Sequence, residues 1–177
     1  LPDYPPTHVF VQAGVGALAA SVAAAFWLAW KARRRELVIV EPIQAEGGIY
    51  VPPDGYLAGL RELCDRSGAL FLLDEVQTGV GRTGTYLGAE QWGVRADACS
   101  LAKGIAGGFP LGAILVREKF ADALPPGTHA STFGGNPLAS AAALAVLDIF
   151  EEERVLENVN ARAGTLAAAL RDLVRDY

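Results

Sequence analysis

A chain of 177 residues that is 51% hydrophobic and 20% charged has enough apolar material to bury a core, which excludes a disordered or low-complexity segment. A net charge of -5 gives no electrostatic case for a nucleic-acid partner. Two cysteines, Cys64 and Cys99, are too few for a disulfide framework and too widely spaced for a zinc pair, so both are expected to be buried thiols with no metal site.

In chain order, His8 to Gln12 is a β-rich run, Gly14-Val15-Gly16 a turn, Ala17 to Lys31 a helix and Glu36 to Val40 a second strand. Together they read as a βαβ-like unit over residues 1–40. The uncharged stretch before Lys31 and the basic run Lys31 to Arg35 have the pattern of a membrane span with a cytoplasmic flank. Gln12, Gly14, Gly16, Ser21 and the many alanines favour a buried core helix instead. With a proline-rich opening in place of a signal peptide, the expectation is a cytoplasmic protein without a membrane partner.

Residues 41–150 read as one α/β core. A loop punctuated by Gly47-Gly48 and Pro52-Pro53 leads to a helix from about Asp54 to Ser67. Asp54 is the expected N-cap, and Tyr56, Leu57, Leu60 and Leu63 mark the apolar face. Ala69 to Leu73 is apolar throughout, as in a strand covered on both faces, and ends at Asp74-Glu75. A glycine loop through Gly79, Gly81 and Gly84 follows, then strands at Ala98–Leu101 and Gly112–Val116. An apolar helix from Pro137 to Phe150 starts after Asn136. Residues 151–177 form a last helix with Leu156, Val159, Leu166 and Leu170 on one stripe. Strands alternating with helices predict a three-layer α/β/α sheet.

Chemistry gathers at the strand ends. Asp74 follows Leu70-Phe71-Leu72-Leu73, and an acid there faces the usual crevice of an α/β sheet. Such a carboxylate needs a partner, for which a protonated ring nitrogen serves; a cap or surface-turn acid is the plainer alternative. Lys103 lies between a strand and Gly104, Gly107 and Gly108. A desolvated lysine there could condense with an aldehyde, although most lysines are solvated charges. The spacing from Asp74 suffices for a crossover between neighbouring strands. Thr132, ahead of a helix, suits an anion or simple capping. Gln77 could donate to a ring oxygen or cap a turn, and Glu46, in a glycine loop, could pair with a basic group. His129 reads better as a loop histidine than as a base. Gly14-Val15-Gly16 lacks the remainder of a dinucleotide fingerprint.

Four stretches carry a resemblance. They are Glu41-Pro42-Ile43-Gln44-Ala45-Glu46-Gly47-Gly48; Asp74-Glu75-Val76-Gln77-Thr78-Gly79 with Gly81-Arg82-Thr83-Gly84; Ala102-Lys103-Gly104 with Gly107-Gly108-Phe109-Pro110; and Thr132-Phe133-Gly134-Gly135-Asn136-Pro137. From about Leu37 to the end the chain resembles the class III, ornithine-type aminotransferases; the fourth stretch and the helix after it look most like the acetylornithine branch, with the ornithine and 4-aminobutyrate branches as close rivals. The resemblance implies a partial fold-type I large domain, pyridoxal 5'-phosphate as cofactor, and a homo-oligomer with shared sites. Its substrates would be a small-molecule amino donor and a 2-oxo acid. It makes Lys103 the Schiff-base lysine and Asp74 the acid at the pyridine nitrogen. Val76 becomes the residue on one ring face, and Gln77 the side chain near the ring hydroxyl. Thr132 becomes a hydroxyl for the neighbouring subunit's cofactor phosphate, and Glu46 the partner of a substrate-binding arginine.

The chain also departs from that family. Members carry a glycine-rich phosphate turn and a stacking aromatic ahead of the matching region. Here Gly14-Val15-Gly16 and Phe10, Phe26 or Trp27 are the only stand-ins. Residues 6–42 resemble diaminopropionate ammonia-lyase, a fold-type II family, so the chain reads as truncated or chimeric. The arginine for the substrate carboxylate is expected beyond residues 151–177, the helix leading to a small domain, and Arg82 is an uncertain substitute. The expected function is transamination from an ornithine-like donor to 2-oxoglutarate, impaired in this chain. A cofactor-binding fragment without turnover and an ammonia-lyase are the alternatives.

Overall fold

The computed structural model describes residues 8–12, 37–123 and 131–176. The strands are β1 (His8–Gln12), β2 (Leu37–Val40), β3 (Leu70–Asp74), β4 (Ala98–Leu101) and β5 (Gly112–Val116). The helices are α1 (Tyr56–Ser67), α2 (Pro137–Glu152) and α3 (Val155–Asp176). The turn at Gly14, the helix expected at Ala17 to Lys31 and His129 lie outside the described residues. No described helix is long and apolar enough to cross a membrane.

The strands form one mixed sheet in the order β1-β5-β4-β3-β2. β2, β3 and β4 run parallel, while β5 is antiparallel to both β4 and β1. β1 and β2 therefore lie at opposite edges, with three strands between them. This differs from a compact βαβ unit with adjacent strands. Hydrogen bonding to β5 on one side and to β3 on the other decides the placement, and neither partner is local in sequence. The sheet thus draws strands from both sides of the boundary expected at residue 40.

β3 carries the core. Leu70, Phe71, Leu72 and Leu73 are all buried, as a strand covered on both faces requires. Phe71, Leu73 and Cys99 meet Leu57 and Cys64 of α1 and Ala89 and Val94 of the following loop. A second cluster joins Leu101 and Ala113 to Ile105, Ala106 and Ala139, seating α2 on the turn after β4. Alternation along the strands puts both clusters on one face of the sheet. Leu70, Leu72, Ala98, Ile114 and Val116 on the other face are buried too.

Helix α1 starts later than expected. Asp54 does not cap it; Gly55 does, at φ 80, with Tyr56 N–H donating to the Pro53 carbonyl. The preceding turn needs a left-handed residue, which glycine supplies without Cβ strain. Its inward face is Leu57, Leu60, Arg61 and Cys64, while Tyr56 and Leu63 are exposed. Arg61 faces inward because Asp97, 2% exposed, waits there at the amino end of β4. Asp97 Oδ2 accepts from Arg61 Nη1 at 2.9 Å and from Phe71 N–H at 3.0 Å. This one carboxylate ties α1 to the starts of β3 and β4. α2 starts where expected but runs two residues past Phe150, to Glu152, and is capped by Asn136, whose side chain accepts from Ala139 N–H at 2.9 Å.

Candidate active site

The carboxyl ends of β3 and β4 lie side by side, with Asp74 level with Ser100. That register sets the geometry of the acid. Asp74 Oδ1 accepts from Ser100 Oγ at 3.0 Å and from Val76 N–H at 3.0 Å. Oδ2 has no hydrogen-bond partner among the described residues. A half-buried carboxylate held by one oxygen, with the other uncommitted at a strand end, is arranged to receive a cationic or N–H group. The cap and turn reading of Asp74 accounts for Oδ1 alone.

Lys103 opens the 3₁₀ turn Lys103–Ala106, two residues past the end of β4. Its backbone is left-handed, φ 51, a region that non-glycine residues seldom occupy. Ile49, Val80 and Arg154 share this property. Val80 lies against the same turn: a Cβ on Gly104 would sit 3.4 Å from Val80 Cβ. The desolvated setting expected for Lys103 is not formed by the described residues, since its side chain is exposed. Gly104, Gly107 and Gly108 have no side chains with which to cover it.

The loop after β3 carries Val76 and Gln77, both half-buried. Gln77 Nε2 donates to Glu46 Oε1 at 2.6 Å. Two candidates read independently from the sequence thus meet each other. Glu46 is presented by a tight turn, closed by paired bonds between Gln44 and Tyr50 at 3.0 and 2.8 Å. Thr132 is exposed in the turn before α2, where Asn136 performs the capping. Arg82 is exposed on the glycine loop.

Several residues of this region were not singled out by sequence reasoning. Ser100 sits inside the apolar run Ala98–Leu101, and only strand pairing reveals its bond to Asp74. Glu75 is 1% exposed, and burial pushes its carboxyl above the usual range while Thr78, Ala89 and Gly88 pull it back as donors. Asn160 of α3 donates to the Gly84 carbonyl at 2.9 Å, docking the last helix on the glycine loop. Among the described residues no group of acids, histidines and cysteines could hold a metal.

The donor set fits pyridoxal 5'-phosphate. Asp74 offers an anionic oxygen for a ring nitrogen, and Lys103, on the neighbouring strand end, offers an amine for the aldehyde. Val76 and Gln77 stand beside the acid.

Comparison with known proteins matches residues 32–177 to the family described as Aminotransferase class-III. Acetylornithine aminotransferase of Methanosarcina mazei is 50% identical over 139 residues, covering 78% of this chain and 35% of that protein. A 5-aminovalerate aminotransferase of Pseudomonas putida is 46% identical over 140 residues, covering 79% of this chain and 33% of that protein. The fold is similar to that of ornithine aminotransferase from Plasmodium yoelii, with a TM-score of 0.86 and 30% identity, over 95% of this chain and 54% of that one. The chain therefore spans about a third of the length of the curated relatives it matches.

Proposed function

This chain belongs to the class III aminotransferases, and from that premise we propose that it carries the lysine-and-acid half of a transaminase site. The reaction would move an amino group from an ornithine-like donor to 2-oxoglutarate. The observation that supports this best is the parallel pairing of β3 and β4, which brings Asp74 and the turn bearing Lys103 to one end of the sheet.

The residues divide the work. When bound, pyridoxal 5'-phosphate supplies an electron sink for the carbanion left by proton removal. Asp74, oriented through Oδ1 by Ser100 and Val76, presents Oδ2 as the anionic partner of the ring nitrogen. Lys103 would hold the cofactor through Nζ and would serve as the base that moves the proton at the amine-bearing carbon. Val76 would pack on the ring, and Gln77 would supply the side chain near the ring hydroxyl. Glu46, joined to Gln77, belongs to the substrate side and would pair with a basic group there. Thr132 would serve the cofactor phosphate of a second subunit, which makes a homo-oligomer part of the proposal. Impaired turnover is part of the proposal, since about 1 Å of misplacement of the substrate can cost roughly a hundredfold.

The test is cofactor uptake, borohydride reduction and peptide mapping, run beside a transamination assay with acetylornithine and 2-oxoglutarate. The label should fall on Lys103, and turnover should be well below about 1 per second and absent in Lys103→Ala. Label on Lys31 or Lys119, or no uptake at all, would refute the assignment. Turnover in the ordinary enzyme range, lost in Lys103→Ala, would refute the impairment.

A further inference from the structure

Adjacent acids end β3, and they do different things. Asp74 is half-buried with one oxygen uncommitted among the described residues, whereas Glu75 is 1% exposed and fully engaged. Glu75 N–H extends the ladder to the Ser100 carbonyl at 3.0 Å. Its Oε2 accepts from Gly88 N–H at 2.8 Å and from Thr78 Oγ1, and its Oε1 accepts from Ala89 N–H at 2.9 Å. Its carbonyl accepts from Gly79 N–H at 2.8 Å.

We propose that Glu75 is a positioning residue, a buried clamp that seats the loop 75–79 against the turn 88–92 and so fixes Val76 and Gln77 beside Asp74. This rests on the cofactor reading of the site given above. The glycines mark how tight the seat is. A Cβ on Gly88 would lie 2.8 Å from Thr78 Cβ and 3.0 Å from Glu75 Oε2. A Cβ on Gly79 would lie 2.7 Å from both the Glu75 carbonyl and Leu101 Cδ2. The loop is thus held by β4 through Ser100 and Leu101, and by the turn at 88–92 through the Glu75 carboxylate.

Only an acceptor-only side chain of this length suits the seat. Three donors converge on two oxygens. Glutamine would aim an NH₂ at the N–H of Ala89 or of Gly88, leaving a buried donor unpaired. Aspartate is one methylene too short to reach. Because the Asp74 carboxylate is held at Oδ1 by the Val76 N–H, the amide that follows Glu75 in the clamped loop, movement of this loop passes directly to the acid.

Two readouts test the clamp on the full chain, with Glu75→Gln, Thr78→Val, Thr78→Ser and a control, Leu57→Ala, which loosens the core that α1 shares with Ala89 but removes no hydrogen bond to Glu75. The first is amide hydrogen exchange in cofactor-free protein. Val76, Gly79, Gly88 and Ala89 should exchange at least about tenfold faster in Glu75→Gln, as expected for a lost buried hydrogen bond. Thr78→Val should show the same direction, and Thr78→Ser should match the parent. The second is the pH midpoint of the visible band after pyridoxal 5'-phosphate is added. It should shift in Glu75→Gln and Thr78→Val but not in Thr78→Ser or Leu57→Ala. If Glu75→Gln fails to fold, the Thr78 pair decides. Exchange and midpoint in Glu75→Gln and Thr78→Val no different from the Leu57→Ala control overturn the clamp. If the parent takes up no cofactor, the proposed function falls and the exchange result alone decides the clamp.

Discussion

Asp74→Asn separates the geometry of the acid from its charge. Both bonds now made to Oδ1, from Ser100 Oγ and Val76 N–H at 3.0 Å each, can be kept by the asparagine carbonyl. The loop should therefore stay in place, and the melting temperature of cofactor-free protein should not move. The whole change falls on Oδ2, which turns from an anionic acceptor into an amide donor. A hydrogen bond to a charged group is worth about 1.5–3 kcal/mol. At about 1.4 kcal/mol per factor of ten, pyridoxal 5'-phosphate should be held roughly 10- to 100-fold more weakly. Ser100→Ala, which removes one donor to the same carboxylate, should weaken uptake in the same direction. Equilibrium uptake followed by absorbance measures both. An Asp74→Asn affinity within about threefold of the parent, with melting unchanged, would mean that Oδ2 does not face the ring nitrogen.

Further outcomes concern the frame around the site. Asp97→Ala takes the acceptor from both Arg61 and Phe71 N–H; because Asp65 keeps its hold on Arg61 at 2.8 Å, the loss should fall near the lower end of about 3–5 kcal/mol. Urea unfolding checks this, and a loss under about 1 kcal/mol would remove Asp97 from its place as a tie. Cys64 and Cys99 are buried, and burial raises both thiols above their usual range. Neither should react with a thiol reagent at pH 8 until the chain unfolds, so prompt labelling of either in native protein counts against the core described. Leu166, Leu170, Leu173 and Val174 of α3 are at least half exposed, which should drive association into dimers or larger species. Sedimentation as a clean monomer over a wide concentration range would contradict that.

The central sheet was legible because its signals are local. The apolar runs that become β3, β4 and β5 are short, bounded by glycine or charge, and long enough only for strands. Asp74 and Lys103 stand out in the sequence as polar residues at and just past the ends of such runs, and the sheet sets those two strand ends side by side. What pairing decides was not legible. Nothing within residues 8–12 or 37–40 announces that they lie at opposite edges, since the β1 partner is β5 and the β2 partner is β3. Buried polar residues were hidden in the same way. Ser100 sits within a strand, Asp97 looks like a surface acid before one, and Glu75 looks like a duplicate of Asp74; each acquires meaning only from a donor far away in sequence. The cap at Gly55 was missed because the adjacent Asp54 is the commoner capping residue, and the turn demanded a backbone that aspartate adopts less readily. Between a desolvated and a solvated Lys103 the sequence leaves the choice open, and among the described residues the side chain is exposed, because glycine-rich surroundings permit close approach but provide no cover.

The left-handed backbone at Lys103 has an evolutionary consequence. Such a conformation costs an ordinary residue about 1–2 kcal/mol, and glycine largely escapes that strain. A lineage that no longer needed the amine would find Lys103→Gly open to it as a step toward greater stability, with an exposed side chain whose loss disturbs little. Mutation alone would therefore tend to erase this lysine. Its persistence or loss in descendants of this gene would record whether the amine was still under selection, independently of any assay.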